Sequence, residues 1–89
     1  MRQLSDRTKY ILYAAHAVWI WYAVSGQFIH IFTYQSAQDI SLHLPIGMLA
    51  SEISALPLSC SSKYGIWGWC HRIGCVLCAI LLIGVLAYR

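Results

Sequence analysis

Formal charge is missing from two long stretches of this chain. Residues 10–34 run through tyrosines, tryptophans and aliphatic side chains without a formally charged residue, and residues 73–88 do the same with a higher aliphatic content. At a helical rise of about 1.5 Å per residue, either stretch can cross most of a bilayer's roughly 30 Å hydrocarbon core. The pattern predicts an all-α integral-membrane fold with two or three transmembrane helices, over about residues 9–34, 40–58 and 65–88.

The first and last of these segments are clear. Ser5 or Asp6 is placed to cap a helix beginning near Arg7, and Tyr10, Tyr13, Phe32 and Tyr34 bracket the first apolar run as interfacial rings bracket a span. Residues 40–58 are ambiguous, because His43, Pro45, Glu52 and Pro57 interrupt them. A spanning helix there needs Glu52 paired or neutralised; an interfacial helix leaves it wet; a re-entrant segment explains the prolines. Gly47, Ser51 and Ala55 recur every four residues, a small-residue ridge suited to close helix packing. Charge favours three spans over two, with the prolines and Glu52 pulling the other way. With three, Arg2, Arg7, Lys9, Lys63 and Arg72 share one side of the membrane and Arg89 stands on the other; with two, Lys63 and Arg72 change sides. Three spans give the cleaner asymmetry.

Composition agrees with that reading. The chain is 60% hydrophobic and 10% charged, against about 25% charged residues in an ordinary soluble domain. Its 89 residues leave no room for a soluble catalytic domain beside the helices, so function is expected in the membrane and in what the helices assemble with. The net charge of +3 is too small and too scattered for a nucleic-acid surface. The first apolar run is too long for a signal peptide and lacks a clean cleavage site, so it is expected to stay.

Four groups of residues carry candidate chemistry. Cys60, Cys70, Cys75 and Cys78 match no trusted zinc spacing, even with His71 added, and no metal site is expected; buried cysteines of this kind pack as small hydrophobes. His16 and His30 stand fourteen residues apart, about 21 Å along a helix and nearly on one face. That spacing resembles the helices of membrane b-type cytochromes, in which two histidines on one helix ligate two haems; the plainer alternative is a hydrogen bond from each to a neighbouring helix. Glu52 is the lone acid in an apolar segment. Its flanking prolines favour a wet interfacial carboxylate, the alternatives being a pair with Arg72 or His71 or a proton-handling role. Arg72 opens the last apolar run, where its planar fork can hold a quinone carbonyl, a haem propionate or a lipid phosphate, or simply snorkel to headgroups beside Trp67 and Trp69.

Cys70-His71-Arg72-Ile73-Gly74 at the head of an apolar helix is similar to the C-H-R-x-x-G opening of the cytochrome b membrane anchor of succinate dehydrogenase, respiratory complex II. Residues 41–46, Ser-Leu-His-Leu-Pro-Ile, resemble the S-P-H-x-x-I stretch ahead of that helix. The resemblance implies Arg72 beside a ubiquinone pocket and His71 near a haem b propionate, both shared with partner subunits. Trp69, His16 and His30 join them as expected cofactor contacts. The family's quinone-contacting serine is replaced here by Gly68, and its glycine comes one residue early. The function expected on this basis is a small, non-catalytic subunit of an electron-transfer complex in a mitochondrial inner membrane or bacterial plasma membrane, with phospholipid and other membrane subunits as partners. The alternatives are a self-assembling holin or pore-former and a regulatory small protein docking on a larger membrane complex.

Overall fold

A computed structural model of the chain describes residues 5–89. Arg2, counted above among the basic residues of the head, lies outside them. The described residues form three helices, α1 (Asp6–Tyr34), α2 (His43–Ser59) and α3 (Ile66–Ala87), with one 3-10 turn (Ser62–Tyr64) between the last two.

Local chemistry fixes the helix ends. Ser5 caps α1, its Oγ accepting from the Thr8 backbone N–H at 3.2 Å and filling one of the donors a helix start leaves unpaired. At the other end Gln35 takes a left-handed backbone, φ 53°, and its Nε2 donates to the Phe32 carbonyl at 2.8 Å. In α2, Pro45 sits in the first turn, where a missing N–H costs nothing, and Pro57 lies two residues before the helix ends. The prolines therefore mark the two ends of one continuous helix of 17 residues. Gly65, at φ 54°, makes the left-handed step that releases the chain into α3.

The helices run up, down and up. Tyr13 of α1 lies against Tyr64 and His71, and Ala37 beyond its far end donates to the Tyr88 carbonyl at 3.1 Å, so α1 and α3 are parallel. Tyr13 Oη donates to the Ala55 carbonyl and Gln27 meets Met48, which sets α2 antiparallel to both. Buried positions alternate three and four apart on every helix: Tyr13, Ala17, Ile20 and Val24 on α1; Pro45, Met48, Glu52 and Ala55 on α2; His71, Gly74, Cys78, Leu81 and Val85 on α3. This is the seam of an ordinary bundle. α3 is its hub, packed along both other helices, whereas α1 and α2 meet at few points.

The ridge of small residues on α2 is not the packing seam. Gly47 is exposed with open space where a Cβ would stand, and only Ala55 of the three is buried. Close approach comes from α3 instead. A Cβ on Gly68 would meet the Ser59 carbonyl at 2.8 Å, and one on Gly74 would meet the Glu52 carboxylate at 2.6 Å.

Candidate functional site

The polar residues of the bundle gather where the three helices meet. Glu52 and His71 are both fully buried, so the wet interfacial reading of Glu52 does not hold: its place on the seam of α2 turns it toward α3. His71 Nδ1 lies 2.8 Å from Glu52 Oε1, and His71 Nε2 lies 2.9 Å from the Tyr13 carbonyl. A carbonyl accepts only, so Nε2 carries a proton. The Nδ1···Oε1 contact then holds one proton, on the carboxyl or on the ring, and the pair is neutral overall in either case. Both ring nitrogens of His71 are thereby engaged.

His16 completes the group from α1. Its Nε2 is 2.5 Å from Ser51 Oγ and 3.5 Å from Glu52 Oε1, and its ring packs 4.8 Å from that of His71. Ser51, His16 and Glu52 do not form a nucleophilic relay, because serine and carboxylate meet the same ring nitrogen and no proton can pass through the imidazole between them. Glu52 Oε2, though buried, has no hydrogen-bond partner among the described residues. His16 is the way in: its side chain is 29% exposed and lines an open groove of about 590 Å³ with Lys9, Tyr13, Ser54 and Lys63. Lys63 at the mouth is 3.3 Å from Asp6.

Of the residues expected to contact cofactor, His16 and His71 come together, but through Glu52. His30 stands apart near the other end of α1, its ring tilted against that of Tyr34 with centroids 4.8 Å apart. Arg72, one residue round the helix from His71, turns back to the α2–α3 turn: Nε donates to Ser59 Oγ at 3.1 Å and Nη2 to the Ser59 carbonyl at 3.5 Å. Its guanidinium carbon lies 4.9 Å over the ring of Trp69, which is exposed. Arg72 Nη1 has no partner among the described residues. The four cysteines are free; Cys78 is in the core and Cys60 is exposed on the turn.

From the sequence alone a Glu52–His71 pair is one of several alternatives, and nothing there joins His16 to it. The signal that selects it is the seam spacing. His71 falls on the buried face of α3 with Gly74, Cys78, Leu81 and Val85, whereas Arg72 falls beside it. Comparison with protein-family models, curated proteins and solved structures returned no match.

Proposed function

We propose that the chain is an integral-membrane protein crossing the bilayer three times, and that it serves as a small non-catalytic subunit of a larger membrane complex of the electron-transfer class. The observation that carries the membrane reading is the exposure of large apolar side chains on all three helices together with two ionisable groups buried among them. Ile11, Trp19, Tyr22, Ile29 and Phe32 on α1, Leu44, Ile46 and Ile53 on α2, and Val76, Ile83 and Leu86 on α3 all face outward, while a carboxyl and an imidazole occupy the interior. Water penalises that arrangement and lipid favours it, since ionisable groups in membrane proteins turn inward and find partners.

Dimensions and charge support the same reading. Among the described residues α3, with 22 residues, is the one helix long and apolar enough by itself to cross a membrane; α1 and α2 would cross only packed against it. The bundle is 44 Å long, against about 40–45 Å for a bilayer with its headgroups. α2, at about 25 Å, is short for a span, within the range that local thinning accommodates. Arg7, Lys9 and Lys63 sit at one end and Arg89 at the other, the asymmetry that orients a three-span protein. Nη1 of Arg72, the guanidinium nitrogen not turned to the α2–α3 turn, lies beside exposed Trp69 at the start of α3 and suits a quinone oxygen or lipid phosphate at the headgroup level. A chain this small, with large apolar side chains exposed on all three helices, offers three helix faces to neighbouring subunits.

Purification of the tagged chain from native membranes in mild detergent, with mass spectrometry of what accompanies it and a reduced-minus-oxidised spectrum, tests the proposal. Redox subunits should copurify, and Arg72→Ala should lower quinone-linked turnover with assembly intact. A homogeneous preparation free of respiratory subunits and redox cofactors overturns the subunit assignment; a chain monodisperse and folded in plain buffer overturns the membrane assignment.

A further inference from the structure

We propose that His16, Glu52 and His71 bind one divalent first-row transition-metal ion, zinc being the ion the donors suit best. The inference goes beyond the subunit reading and needs only the packing of the three helices.

One ligand atom from each of His16, Glu52 and His71, a residue from each helix, lies within 4.8 Å of the other two, and His16 Nε2 and His71 Nδ1 both face Glu52 Oε1. Around a tetrahedral ion held at about 2.0–2.2 Å, ligand atoms stand roughly 3.3 Å apart. The Glu52–His71 and Glu52–His16 separations, 2.8 and 3.5 Å, straddle that spacing. Rotation of the partly exposed His16 ring brings in the third ligand.

Two further observations point to a cation. The Tyr13 carbonyl takes the Nε2 proton of His71, which fixes the tautomer whose Nδ1 lone pair faces the cluster. Metal-ligating histidines are oriented in the same way, by giving the other N–H to a carbonyl or carboxylate. In addition Glu52 is a fully buried carboxyl with an unpartnered Oε2 and no lysine or arginine beside it. A bound cation supplies the charge and the contact that it lacks. Two imidazoles exclude magnesium and calcium as natural occupants, because those ions prefer oxygen throughout.

Binding exchanges charges in a fixed way. The neutral Glu52–His71 pair gives up its one shared proton, Glu52 becomes the carboxylate ligand, and both histidines bind as neutral bases. The proton leaves through the groove at His16, from which a water or an anionic group fills the fourth position.

The test uses the full chain in detergent, stripped with a chelator and titrated with zinc or cobalt(II) chloride. One ion per chain should remain after dialysis, with one proton released per ion in weak buffer. The cobalt form should show the visible bands of a four-coordinate ion with no thiolate-to-cobalt charge transfer. His16→Cys should keep the stoichiometry and gain that charge-transfer band, which a purely structural role for His16 does not produce. Glu52→Gln should weaken binding more than about tenfold, and His30→Ala should leave it unchanged. Helical circular dichroism checks that each variant is folded, and the His16→Cys result stands even where Glu52→Gln unfolds. Failure of the wild type to retain metal overturns the proposal. So does a thiolate band in the wild type, which transfers the ion to the cysteines, or undiminished retention by His16→Ala.

Discussion

The one-proton contact between Glu52 and His71 makes a prediction that separates hydrogen bonding from charge. With Nε2–H held by the Tyr13 carbonyl, Nδ1 needs a donor when the ring is neutral. Glu52→Gln supplies one, since an amide N–H replaces the carboxyl O–H in the same volume, and Oε2 has no partner to lose. In the presence of a chelator the substitution should cost no more than about 1 kcal/mol, the scale of one hydrogen bond between membrane helices. Glu52→Ala is different. It removes that bond, leaves a buried Nδ1 unsatisfied at about 1–3 kcal/mol, and opens a cavity beside Gly74, for a total of roughly 2–4 kcal/mol. His71→Ala should cost about as much or more, because it strips Oε1 of its nearest partner. The double alanine variant should then be less destabilised than the sum of its parts by about 1–3 kcal/mol. Unfolding in mixed micelles by added dodecyl sulfate, followed by the fluorescence of Trp19, Trp21, Trp67 and Trp69, reads all four variants. A Glu52→Gln protein as unstable as Glu52→Ala refutes the reasoning: the proton would then reside on the ring, with an ionised carboxylate holding the pair together.

Other substitutions test the packing around this contact. Gly68→Ala should destabilise by about 1–3 kcal/mol, because its Cβ meets the Ser59 backbone, whereas Gly84→Ala, with open space at the same point, should stabilise by about 0.5–1 kcal/mol in the same assay. Tyr13→Phe should cost about 1 kcal/mol for the bond from Oη to the Ala55 carbonyl and leave the helical circular dichroism unchanged. Topology is open to labelling: in sealed vesicles an impermeant maleimide should reach Cys60 from one face and an introduced Gln38→Cys from the other, and labelling of both from one face contradicts three spans.

Much of the fold was legible because it depends on local chemistry. Uncharged runs marked α1 and α3, and Ser5 or Asp6 marked the start of α1, Ser5 being the residue that caps it. Residues 40–58 were harder, since Pro45 and Pro57 have the same composition whether they break a segment or bound it; position decides, Pro45 standing in the first turn of α2, where no bond is lost, and Pro57 two residues before its end, where it gives up one helical bond and the helix stops soon after. The site was less legible because it belongs to no single stretch. Positions 16, 52 and 71 carry no motif spacing, and their meeting depends on the register of three helices. A one-residue rotation of α3 would have offered Arg72 to Glu52 instead of His71, and tripeptide likeness at Cys70-His71-Arg72 cannot register that difference.

The central position of α3 bears on how the chain is made. When α2 leaves the ribosome, its carboxyl has His16 within reach but not the imidazole that binds it most closely, and α1 gives it little else to lean on. On the proposed three-span reading, lateral release of α2 from the insertion machinery into lipid is unfavourable until some twenty later residues have been synthesised, and the second helix should wait for the third and enter the bilayer with it.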